Sequence, residues 1–227
     1  MRTVARGDGR PAALRIGIGL GLLLSLQACG DIAPPGGVSL TTAQQTTQYT
    51  LVADSQTLIH VPDALLTMQR ALPDETEQKI ALPNETAVKG DNFVLLMARA
   101  PVMGLQPKFQ VDELLQLAGG APYPFDGASF SGLTTKTDAM GPYFWLDKRF
   151  GVNTVCVLAI RRADLGSRIL PSGTYALDVL MRNCVDGPVE KALAPIGADS
   201  IAYYPGTDAG QRRTGNLNLS PLAAPQP

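Results

Sequence analysis

TVCVLAIRR at Thr154–Arg162 and YALDVLMRNC at Tyr175–Cys184 are the two stretches that decide the fold. Both are dominated by aliphatic and β-branched residues, the composition that suits a pleated, buried strand. If Cys156 faces Cys184 across an antiparallel pair, facing residue numbers sum to 340. Ile160 then meets Leu180, and Arg162 meets Asp178 as an opposite-charge pair. On the other face Ala159 meets Met181 and Arg161 meets Val179. Each such pair contributes about 0.2–1 kcal/mol, so the register gains from several small terms. Leu158 opposite Arg182 is the one poor match. A Cys156–Cys184 disulfide would close a loop of about thirty residues, worth about 3.5 kcal/mol on the chain-entropy model. A redox role fits less well, because reactive pairs favour Cys-x-x-Cys near a helix start.

Working outward, Asn92–Arg99 is an apolar run bounded by Lys89-Gly90-Asp91 and Pro101, which reads as a buried strand. Ala64–Leu72 and Thr76–Leu82 flank the turn-like Pro73-Asp74 and read as a pair. Val111, Leu114, Leu115 and Ala118 then fall on one helical face, and Gly119-Gly120 supplies the stop. Strand-like pieces follow around Ala128–Leu133 and Pro142–Leu146. A last short helix is capped at Asp186-Gly187, with Pro188 in its first position, and ends at Pro195. The expected class is α+β: a mostly antiparallel sheet with two short helices and one disulfide-stapled strand pair.

The ends have a different character. Arg2, Arg6, Arg10 and Arg15 precede an apolar run from Ile16 to Leu26. That is the layout of a secretory signal, and the run is too short to span a bilayer, which needs about 20 apolar residues. Leu26-Gln27-Ala28-Cys29 resembles the lipobox of bacterial lipoproteins, in which the peptide is cut before the cysteine and its thiol is acylated. Residues 1–28 thus read as a lipoprotein signal peptide, with Cys29 as the lipidation site. Residues 29–60, rich in Thr, Gln, Pro and Gly, read as a flexible tether. Residues 61–210 read as a single α+β domain, and 211–227 as a disordered tail.

Without residues 1–28 the chain keeps 15 basic against 19 acidic residues and forms no Lys/Arg cluster. Nucleic acid is therefore not an expected partner, since phosphate neutralisation has no source. One histidine, His60, and no Cys cluster give no zinc-like constellation, so neither a metal nor a cofactor is expected. Gly17-x-Gly19-x-Gly21 lies inside the signal peptide and is no dinucleotide fingerprint. A Ser/His/Asp site would have to draw its base from the tether. Asp74, Glu75, Glu77, Asp112 and Glu113 are carboxylates of the kind glycoside hydrolysis needs, but turn and helix-surface contexts favour solvated charges. The expectation is a non-catalytic protein. Tyr143-Phe144-Trp145 is the place to look for a glucan or partner contact, with core packing of alternate residues as the competing reading.

The domain resembles the cellulose biosynthesis protein BcsN family over about residues 65 to 200. The similar stretches are Glu77–Arg99, Gly141–Trp145 leading to Asn153–Arg162, and Gly173–Gly197, with the two cysteines in the second and third. The resemblance implies an accessory lipoprotein of cellulose production or export, facing the periplasm and contacting synthase or export subunits. Gly30, with Asp31 one place later, mildly favours the outer membrane over the inner. A glucan-binding module, or a structural lipoprotein of another secretion or pilus machine, stands as the alternative.

Overall fold

The computed structural model describes residues 40–202. Residues 1–28, expected to be a signal peptide, together with Cys29 and the expected 211–227 tail, lie outside the described residues. Eight strands form one sheet: β1 (Thr50–Val52), β2 (Leu66–Ala71), β3 (Glu75–Leu82), β4 (Asn92–Arg99), β5 (Thr134–Asp138), β6 (Gly141–Phe150), β7 (Thr154–Asp164) and β8 (Ala176–Asp186). Their spatial order is β1-β2-β3-β4-β8-β7-β6-β5, with every neighbouring pair antiparallel. The chain lays down β1 to β4 as one meander and crosses over through residues 100–133. It then returns through β5 to β8, so that β8 closes against β4.

The register between β7 and β8 is the one the cysteines dictate. Cys156 faces Cys184, Ile160 faces Leu180, and Arg162 faces Asp178. The two sulfurs are bonded at 2.04 Å. All eight residues of β4 and the first nine of β8 are buried, so the centre of the sheet is covered on both faces. This is why apolar residues fall on both faces of these strands instead of alternating with exposed polar ones. On one face Val94, Leu96, Val179 and Met181 pack under Leu58, Ile59, Leu193, Ile196 and Ile201. On the other, Phe93, Leu95, Leu180 and the disulfide pack under Leu114, Leu115 and Phe125.

The helices are short. They are α1 (Leu40–Thr46), α2 (Val111–Leu117), α3 (Val189–Leu193) and α4 (Ala198–Ala202). The molecule is thus mostly β, and the expected two helices become four among the described residues. α2 ends where expected, with Gly119 and Gly120 at φ of 86° and 107°, the left-handed region open to glycine. Pro188 is the cap residue of α3 and not its first helical position, because β8 runs on through Asp186. Beyond α3, a 3-10 turn over Ala194–Ile196 carries Pro195 and leads into α4. No helix among the described residues is long and apolar enough to cross a membrane.

Two expectations need correcting. The tether expected to run to residue 60 gives way at Leu40 to α1, β1 and the buried segment Thr57–Ile59. Its polar composition is offset by specific partners: Gln44 and Tyr49 bond to Glu77, and Leu58 N–H donates to Gln78 Oε1 at 2.8 Å. The strand expected at Ala128–Leu133 is instead a 3-10 turn over Phe130–Gly132, with Ser129 Oγ accepting from Ser131 N–H. Ala128, Phe130 and Leu133 cover the sheet there, and the strand starts one residue later as β5.

Candidate functional site

Glu75 and Glu77, expected among the solvated carboxylates, are buried. They belong to a row of charges that crosses five strands on one face of the sheet. Arg70 grips Glu77 with two bonds, at 2.6 and 3.0 Å. Arg99 lies 4.0 Å from Glu75 and 3.3 Å from Asp178. Arg162 holds the same Asp178 at 2.5 and 2.8 Å. The row also ties down what covers it. Arg70 donates to Gln44 O in α1 at 2.6 Å, Arg99 bonds Glu113 of α2, and Arg162 donates to Pro107 O at 2.8 Å. Burial, and the neighbouring Glu77 charge, push the Glu75 carboxyl up to about 7, and burial with the bond to Glu77 raises the Tyr49 phenol. These groups are occupied by their own chain, and the row acts as a fastening for α1 and α2.

On the opposite face, buried Arg161 donates to Asp138 Oδ2 at 2.8 Å and to Ile196 O at 2.9 Å. The bond from Arg161 holds the Asp138 carboxyl below the usual range.

An open cleft of about 630 Å³ lies at the other end of the sheet from the Glu75 turn, where β3 and β8 finish. Its apolar floor comes from Val61, Leu82, Pro83, Val185 and Pro195. Local folding sets the walls. Asn183 Nδ2 donates to Ala192 O at 2.9 Å and docks α3, while Lys191 Nζ caps Asp186 O at 3.1 Å. Asp63, Glu85 and Asp199 also line the cleft, and among the described residues none of the three has an ion-pair or side-chain hydrogen-bond partner. Apolar contact ringed by unpaired acceptors complements a basic or hydroxyl-rich group. The three carboxylates come from residues far apart in sequence, so no local motif announces the cleft.

The aromatic trio does not form one exposed row. Tyr143 and Trp145 point to one face with ring centroids 5.7 Å apart, and Tyr143 is buried beneath the Arg161 guanidinium. Phe144 packs on the other face. Trp145 Nε1 is buried without a hydrogen-bond partner among the described residues. His60 sits beside the buried Leu58-Ile59 segment, and its backbone N–H donates to Ser200 O at 3.1 Å. Cys156 and Cys184 are joined in the structure, whereas Cys29 lies outside the described residues. Among the described residues no group of three or more His, Cys, Asp or Glu is arranged to hold a metal ion. Compared with protein-family models, curated proteins and solved structures, the chain matches none of them.

Proposed function

We propose that this chain is a non-catalytic, lipid-anchored accessory protein of the bacterial cell envelope that assists cellulose export by holding a partner subunit. The observation that carries the reading is the Cys156–Cys184 bridge at the centre of the sheet. Structural disulfides persist in oxidising compartments, which agrees with the lipobox-like ending at Cys29. The cellulose context rests on the resemblance of residues 65 to 200 to the BcsN family, and the periplasm-facing, outer-membrane placement on the Cys29-Gly30 pair. A binding role without chemistry is favoured because Glu75 and Glu77 are consumed by Arg70, Tyr49 and Gln44. The acid-lined cleft is the surface offered to a basic segment of the partner. The split of Tyr143 and Phe144 across two faces speaks against a flat glucan platform.

The test is cellulose output in a strain lacking the gene, complemented by wild type or by the cleft variant Asp63→Asn/Glu85→Gln/Asp199→Asn. Loss or altered fibre form that wild type restores, and the cleft variant does not, is the expected result. Unchanged output under conditions where cellulose is made would remove the cellulose reading.

A further inference from the structure

Three exposed large apolar side chains sit in a single tight turn. Val102 is 50 % exposed, Met103 92 % and Leu105 73 %. The turn is built, not frayed: Val102 N–H donates to Leu105 O at 3.1 Å, and Leu105 N–H donates back to Val102 O at 2.9 Å. Met103 and Gly104 take φ of 51° and 76°, the doubly left-handed pattern of a two-residue hairpin. Pro101 and Pro107 flank it. A soluble surface gains nothing by holding three such side chains on a convex tip, and apolar projections of this kind mark an interaction site.

The tip's position selects the partner. Ala100 N–H donates to Asp74 O at 2.9 Å, which places the hairpin at the end of the sheet that carries the β2–β3 turn. The chain enters the domain at the same end. Thr50 faces Gln69 near the finish of β2, and Gln44 of α1 bonds Glu75, the first residue of β3. Ten residues lie between Cys29 and Leu40, a span of at most about 40 Å. A lipid on Cys29 therefore keeps this end of the domain within reach of the bilayer, while the acid-lined cleft lies at the far end of β3 and β8.

We propose that the Val102–Leu105 hairpin is a second membrane contact, inserting its apolar tip into the lipid surface and orienting the anchored domain with the cleft facing away. This rests on the lipid-anchored reading of Cys29. Insertion of a few apolar side chains is weak alone and becomes effective beside a covalent acyl chain, in keeping with the two-signal rule for stable anchoring.

The test uses the full lipidated protein reconstituted in phosphatidylcholine vesicles. Leu105→Cys supplies a thiol for an environment-sensitive fluorophore, because Cys156 and Cys184 are bridged and Cys29 carries the lipid. Val152→Cys, 96 % exposed in the β6–β7 turn at the opposite end of the sheet, is the control. The expected result is blue-shifted emission at 105 and loss of most of its intensity to a lipid-borne quencher, with 152 quenched only by aqueous iodide. Equal lipid quenching at both positions, or none at 105, overturns the proposal. Protection of 105 from iodide without lipid quenching, once envelope extract is added, overturns it in favour of a protein partner. The intact mass of the mature protein reports acylation separately. If it shows none, the anchor reading fails, and the hairpin is then judged by vesicle sedimentation of the unacylated chain. About tenfold weaker binding of Met103→Asp/Leu105→Asp than of wild type supports it there, and equal binding overturns it.

Discussion

Arg182 shows how one side chain reconciles a poor cross-strand pair with a stable sheet. Opposite Leu158 it gains little, but its guanidinium reaches past the end of β4 to four oxygens: Lys89 O at 2.6 Å, Tyr123 O at 2.7 Å, Asn92 Oδ1 at 2.8 Å and Gly90 O at 3.0 Å. It thereby pins two loops onto the sheet, and burial lowers its pKa. Gly90, at φ of 95°, occupies a backbone conformation that a side chain would strain. Arg182→Leu should cost about 2–4 kcal/mol by leaving buried carbonyls unpaired, read as a lower urea midpoint. A midpoint equal to wild type would refute the clamp. Glu75 gives a prediction in pH. Its carboxyl titrates at about 7 when folded against 4.5 in a free side chain, so the folded state holds the extra proton between those values. The associated stability is present below pH 4.5 and is lost as pH rises through 7. Glu77 and Arg99 face it with opposite effects, and Arg99 keeps Asp178 and Glu113 if Glu75 loses its charge. Glu75→Gln should therefore gain about 2 kcal/mol on wild type between pH 5 and pH 8 in denaturant titrations. A pH-independent difference would contradict the burial of a titrating carboxyl.

At the scale of elements, legibility in sequence followed burial. β4, β7 and β8 announce themselves because both their faces are covered, so aliphatic residues occupy both faces of each strand, and the cysteines fix one register among many. α2 is legible because one helical face meets the sheet. β5 reads TTKTD and is exposed along four of its five residues, so no apolar signal marks it. α1 and β1 were invisible for another reason. Their composition is that of a linker, and what orders them is a set of tertiary bonds to Glu75, Glu77 and Arg70 that no local pattern encodes. The stapled pair carries its own prediction. Cys156→Ala/Cys184→Ala should lose about 3.5 kcal/mol, since the bridge closes a separation of 28 residues. Reductant should lower the wild-type denaturation midpoint and leave the double variant unchanged. A reductant effect on the variant would show that the staple is not the redox-sensitive part.

At the scale of the whole molecule, the candidate site divides into parts that the sequence could and could not give. The disulfide was readable from two residues and a register. The cleft was not, because Asp63, Glu85 and Asp199 converge only when the ends of β3 and β8 meet the segment before β2 and the start of α4. Glu75 and Glu77, two of the carboxylates expected to be solvated, fasten α1 through Gln44. The strand order has a last consequence, which concerns time. As the chain emerges N-terminus first, β1 to β4 appear as a complete meander whose inner edge is bare. The strand that fills it, β8, is the final one to appear, with Phe93 waiting about ninety residues for Arg182. Through that interval the apolar edge of β4 is open to whatever holds it, so emergence of this chain is a race between arrival of β8 and capture of β4 by a neighbour.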